Sequence, residues 1–240
     1  MNSLKEQTVG DIVANDYRTA HIFRNYKLDF CCGGKKTLKD ACERKGIDVQ
    51  QLENELNALN QTDSDEQNYK NWSPDFMVDY IINNHHHFVR TKLPEIEFYA
   101  KKVAKVHGSR HQELLEIHQE FLKLKDDLLN HLDKEEQMLF HYIKELVELE
   151  KNGEKLDERP SFGTAANPVA MMESEHDEAG EIMANIRELS NEFTPPEDAC
   201  ATYRVFYQNL EGFEKDLHKH VHLENNILFP KALKLENRMN

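Results

Sequence analysis

Two stretches of this 240-residue chain repeat one pattern: His131-Leu-Asp-Lys-Glu135-Glu-Gln-Met-Leu-Phe140 and His220-Val-His-Leu-Glu224-Asn-Asn-Ile-Leu-Phe229. Both read H-x-x-x-E-x-x-[MI]-L-F. In a helix, a four-residue step stacks the histidine and the glutamate on one face. The apolar residues around them turn that face toward a core. A buried carboxylate costs several kcal/mol unless a counter-charge meets it, so the repeat calls for a helical bundle with cations in its interior.

Helical periodicity extends the same face in four segments. The first seam is Ile82, His86, Val89, Leu93, Ile96, Ala100, Val103. The second is Leu114, Ile117, Phe121, Leu124, Leu128, His131, Glu135, Met138, Tyr142. The third runs Val169, Met172, His176, Ala179, Met183, Ile186, and the fourth Tyr203, Phe206, Leu210, Phe213, Leu217, His220, Glu224, Ile227. Each helix points one histidine inward, and two add a glutamate one turn on. The spacing from His86 to His131 is 45 and from His176 to His220 is 44, which makes two similar helix pairs.

A single inward histidine is more often a hydrogen-bonded core residue than a ligand. Two glutamates, each one turn from such a histidine, change that balance. His86, His131, Glu135, His176, His220 and Glu224 are therefore the expected ligands of two metal ions, with bridging carboxylates and an oxo or hydroxo bridge. This set is richer in nitrogen than the Glu-x-x-His sites of ferritin-like bundles. Imidazole with carboxylate suits iron, manganese or zinc. The helical frame through His85 meets Lys92 and Glu95, so His85 is expected to face away, as is His87. His21, His107, His111, His118, His141, His218 and His222 are also expected at the surface or outside the ligand set. Glu136 and Glu175 adjoin ligands and are candidates to support them.

Cap and turn signals give an all-α chain. Thr8, Thr37 and Asp48 are expected helix N-caps and Gly46 a helix end. These organise a small helical N-terminal domain, residues 1–60, with Asp29-Phe30-Cys31-Cys32-Gly33-Gly34 between two of its helices. A linker over 61–72 follows, marked by the polar run of residues 60–68. Residues 73–238 then form an up-down-up-down four-helix bundle. Its first helix opens at Ser73-Pro74 with a kink expected at Pro94. The second starts near residue 111 and ends at Asn152-Gly153. The third is expected to be capped by Asn167 with Pro168 following, and the fourth to start at the box Thr194-Pro195-Pro196-Glu197.

The four cysteines, Cys31, Cys32, Cys42 and Cys200, do not make a secreted disulfide framework. The adjacent pair reads as thiols with a redox or metal-ligand role. A net charge of −14 without a basic stripe argues against nucleic acid. Every apolar run is broken by charge, so no membrane span is expected, and the polar opening MNSLKEQT points to the cytoplasm.

The histidine and glutamate motifs, with Met172-Glu-Ser-Glu-His176-Asp-Glu-Ala-Gly180, resemble a hemerythrin-like domain. Phe30-Cys31-Cys32-Gly33-Gly34 with Thr37-Leu38 resembles the short domain that precedes it in the iron–sulfur cluster repair di-iron proteins, the RIC family. The resemblance covers nearly the whole chain. It implies two iron ions at the six seam residues and a cytoplasmic stress protein that restores iron–sulfur clusters damaged by nitric oxide or oxidants. Damaged iron–sulfur proteins or a scaffold would be its partners, small gases such as NO and O2 its ligands, and a homodimer is compatible. Cys31 and Cys32 would serve as redox or iron-transfer thiols. This role is that of a donor more than of an enzyme. The alternatives are a di-iron enzyme that reduces NO or peroxide and a hemerythrin-type O2 or NO sensor. The long insert around 150–165 departs from the family pattern but leaves the ligands untouched.

Overall fold

The computed structural model describes residues 4–59, 69–156 and 158–239, and within them the regular structure is helical apart from a single bridge between Thr8 and Thr37. Four short helices come first: α1 (Val9–Asn15), α2 (Thr19–Asn25), α3 (Leu38–Lys45) and α4 (Val49–Leu59). Their ends follow local chemistry. The Thr8 and Thr37 hydroxyls accept from the amides of Asp11 and Asp40, and Asp48 accepts from Gln50 and Gln51. Gly46 ends α3 at φ 65°, a left-handed conformation that costs glycine little. Most of the expected linker, residues 61–68, lies outside the described residues.

Four rods make the bundle. The first is α5 (Pro74–Tyr80), a π-turn (Ile81–His86) and α6 (His87–His107). The second is α7 (Glu113–Lys134), a π-turn (Glu135–Leu139) and α8 (Phe140–Asn152). The third, α9 (Ala166–Leu189), is regular throughout. The fourth is α10 (Ala201–Leu223), a π-turn (Glu224–Leu228) and α11 (Phe229–Met239). Helix α6 packs on α7 and α10, and α7 packs on α9.

Several expectations need correction. Helix α6 runs unbroken through Pro94; the irregularity lies earlier, at Ile81–His86. Helix α9 starts at Ala166, one residue before the expected cap, and the Asn167 amide instead donates to the Phe162 carbonyl at 2.7 Å. The fourth helix begins at Ala201, not at Thr194. Before it, Asn191, Glu192 and Phe193 take left-handed φ values of 49°, 57° and 56°, and Ser190 Oγ accepts from the Phe193 amide.

The π-turns also move the seam. An extra residue per turn advances the faces by about one position, so Ile81 is buried where Ile82 was expected, and Leu139 where Met138 was expected. One apolar cluster then joins the N-terminal helices to the regular half of the bundle, from Phe23, Phe30, Leu38 and Leu52 to Phe121, Phe213 and Leu217. Each such side chain, fully buried, contributes about 1.5–3 kcal/mol.

Candidate metal centre

The six seam residues converge at the end of the bundle where the π-turns lie. Two sets of four share both glutamates: His86, Glu135, His220 and Glu224, and His131, Glu135, His176 and Glu224. Within each set the candidate ligand atoms lie within 4.8 Å of one another. Glu135 Oε2 is 3.4 Å from both His86 Nε2 and His131 Nε2. Glu224 reaches His220 Nε2 at 2.9 Å and His176 Nε2 at 3.3 Å. His131 and His176 bring their Nε2 atoms to 2.9 Å of each other. Both carboxylates are fully buried.

Polar atoms are left over here. Among the described residues, His86 Nε2, both Glu135 oxygens and Glu224 Oε2 are buried without a hydrogen-bond partner. Unpaired carboxylate oxygens in such a place carry a large desolvation cost. Cations held by these two sets would satisfy all of them, so the residues fit a metal-binding centre. Three of the four outer nitrogens are held in place, while His220 Nδ1 has no hydrogen-bond partner among the described residues. His86 Nδ1 meets Glu136 at 2.8 Å, His131 Nδ1 meets Glu175 at 2.9 Å, and His176 Nδ1 meets Asn225 at 2.9 Å. Lys134 in turn grips Glu175. Such partners fix the ring and its tautomer. Asn225 is one that the sequence reading missed.

Electrostatics of the metal-free cluster follow from the same geometry. Burial pulls His86 and His131 down, but Glu135, with Glu224 and, at His131, also Glu175, outweighs it, and both imidazoles are pushed up to about 10. Burial and Glu224 push Glu135 up, yet His131 and His86 bring it down to about 2. Burial likewise opposes the ionised form of Glu224, but His220, His176 and His86 hold it well below the usual range. Burial lowers His220. Protons on His86 and His131 thus stand in for cations, and metal must displace them.

Two histidines expected at the surface or beside the ligands, His85 and His222, are buried near the centre. His85 is stacked on His220 with centroids 5.6 Å apart and meets Asp216 at 2.9 Å. The π-turn at Ile81–His86 breaks the frame that had turned it outward. His222 is covered by Tyr17 and Phe30 from the loops between the N-terminal helices, a long-range contact that helical periodicity does not show. His107, also buried, lies at the other end of α6 and pairs with Cys200 at 3.2 Å. A cavity of about 200 Å³ between α7 and α9 reaches His131, lined by Lys134, Glu175, Glu178 and Ala179 among others.

The cysteine loop lies against the same bundle end. Asn226 donates to the carbonyls of Phe30 and Cys31, both at 3.2 Å. Gly10 and Gly34 leave room for it, since a Cβ there would stand 2.2 and 2.7 Å from its Oδ1. A Cβ on Gly180, four residues past His176, would be 3.8 Å from Cys32 Sγ. Lys35 pairs with Glu173 at 2.7 Å. All four cysteines are free thiols. Cys31 is buried, and the Cys32 hydrogen bond, burial and Asp29 push its thiol well up.

Known proteins share both parts. The ScdA_N model, described as a domain of unknown function (DUF542), matches residues 5–60, and the hemerythrin HHE cation binding domain matches residues 77–232. The chain is 36% identical over 233 residues to the iron-sulfur cluster repair protein YtfE of Dickeya chrysanthemi (strain Ech1591), covering 97% of this chain and 99% of that one. It is 36% identical over 234 residues to the probable iron-sulfur cluster repair protein of Haemophilus influenzae, covering 96% and 98%. A Yersinia pestis (strain Pestoides F) protein with the YtfE name is 34% identical over 232 residues, covering 97% and 99%. With its vicinal thiols ahead of a helical His/Glu cluster, the chain belongs to the family of iron-sulfur cluster repair proteins that join an ScdA N-terminal domain to a hemerythrin HHE cation binding domain.

Proposed function

We propose that this chain repairs damaged iron–sulfur clusters in the cytoplasm, with iron as cargo held by His86, His131, Glu135, His176, His220 and Glu224. Residues 1–60 act as the thiol-bearing domain and 73–238 as the iron-holding bundle. The observation that supports this most is the pair of four-residue sets sharing both glutamates. Two cations held this way are closely spaced, and iron there supplies redox-active, exchangeable ions. Within the chain, Glu136, Glu175 and Asn225 orient the imidazoles, and the apolar walls exclude bulk water. Cys31 and Cys32, docked by Asn226, supply the redox step or receive iron.

Anaerobic purification from an iron-replete host tests the site. About two irons per chain are expected, with less than half that in Glu135→Ala or Glu224→Ala; little iron in the parent chain overturns the reading. Exchanging Cys31 and Cys32 for serine is expected to abolish repair of a nitrosylated cluster while leaving in place the iron held by the histidines and glutamates. The cavity at His131 favours one second reading, turnover of NO or peroxide at the centre. N2O formation faster than iron loss would establish it.

A further inference from the structure

We propose that Asp29, Cys31 and Cys32 form a second metal site, for one thiophilic divalent ion, distinct from the histidine–glutamate centre. The inference rests on the reading above only in pairing the loop with that centre. One ligand atom from each of the three lies within 4.8 Å of the others. The two sulfurs are 3.9 Å apart. A tetrahedral ion with metal–sulfur bonds of about 2.3 Å sets its sulfurs about 3.8 Å apart, so the spacing already suits a chelate.

Asp29 builds this geometry. Its Oδ1 accepts from the amides of Cys31 at 3.0 Å and Cys32 at 3.1 Å and lies 3.2 Å from Cys31 Sγ. Its Oδ2 accepts from Gly33 at 2.7 Å. These bonds fold the loop back on the carboxylate and bring both thiols to one side. Adding a Cβ to Gly33 would put it 3.0 Å from Asp29 Oδ2, so glycine allows the close approach.

Chemistry chooses the class of ion. Two thiolates and a carboxylate favour iron(II) or zinc over magnesium or calcium. Binding releases two thiol protons to solvent as the two sulfur–metal bonds form. Three protein ligands leave a fourth position open to an incoming group, the arrangement of sites that exchange ligands rather than closed structural ones. Cys31 is buried and Cys32 partly exposed, which gives the site one closed and one open side.

Cobalt(II) titration of the metal-free full-length chain under anaerobic, reducing conditions tests this. Only sulfur ligation gives intense near-ultraviolet charge-transfer absorption, whereas the nitrogen and oxygen ligands of the bundle centre give weak visible bands. One equivalent of the intense band is expected, lost in Cys31→Ser and in Cys32→Ser and retained in Cys42→Ser and Cys200→Ser. Asp29→Asn is expected to weaken that binding at least tenfold, with far-ultraviolet dichroism unchanged. No intense band, a band that survives Cys32→Ser, or unaltered affinity in Asp29→Asn overturns the assignment. Weak bands without the intense one would leave the bundle centre standing and remove the thiol site alone; the converse would remove the bundle centre alone.

Discussion

The two ends of the bundle are built on opposite plans. Toward one end, α6, α7 and α10 are regular helices whose interior is apolar, with Ile96, Ile117, Phe121, Phe206, Leu210 and Phe213 all buried. At the other, three of the four rods are interrupted by π-turns, and the interior holds four histidines and two glutamates. Each π-turn abuts a candidate ligand: one ends at His86, one starts at Glu135, one starts at Glu224. A wider turn costs helix stability and re-aims side chains. The regular half carries the fold, and the irregular half departs from helix geometry where the candidate ligands converge.

That division is open to attack at several strengths. The largest effect is expected in the regular half. Phe121→Ala should lower unfolding stability by about 3–5 kcal/mol in urea denaturation while the folded fraction keeps its metal stoichiometry. A loss of metal in proportion to stability would merge the two halves.

Alkaline pH probes the irregular half alone. His86 and His131 are raised in the folded metal-free chain, so their contribution is complete below about 6.5 and is lost as pH climbs through about 10. Glu135 is lowered, so its share is present above about 4.5 and is lost as pH falls through about 2. The melting temperature of the metal-free chain should therefore fall, on the order of 5 °C, between pH 6.5 and 10. The metal-loaded chain, having already lost those protons, should show little of this decline. Equal declines would mean that the two imidazoles do not carry the charge.

The smallest effect concerns support for one ring. Asn225→Ala should weaken metal binding about 10–100-fold in a competition with a chelator, at unchanged denaturation midpoint for the metal-free chain. Unchanged affinity would show that His176 is oriented by its packing on Phe229 instead.

How much of this was legible depended on distance along the chain. The caps at Thr8, Thr37 and Asp48 depend on neighbours within three residues and could be read directly. The six inward polar residues stood out because charge in an apolar seam has few explanations, and the structure brings them together. What escaped was the one-residue register shift at the π-turns Ile81–His86 and Glu135–Leu139, since a fixed 3.6-residue period has no place for it. His85 and Ile82 were misplaced for that reason. His222 was missed because its cover, Tyr17 and Phe30, comes from some 200 residues away. The fourth helix start differs too: Thr194 has the right capping chemistry, but residues 194–200 stay non-helical and the helix begins only at Ala201, after Cys200.

The seat of Asn226 between Gly10 and Gly34 bears on how freely such a protein can be recombined. Its amide is tied to Phe30, Cys31 and His222, so it has little room to swing aside. Grafting a foreign thiol domain onto this bundle would thus require a matching pair of glycines, and grafting a foreign bundle would require a matching asparagine. The two parts trade as a keyed set, and a chimaera that ignores the key should fold as separate pieces, with the thiols parted from the histidine–glutamate cluster.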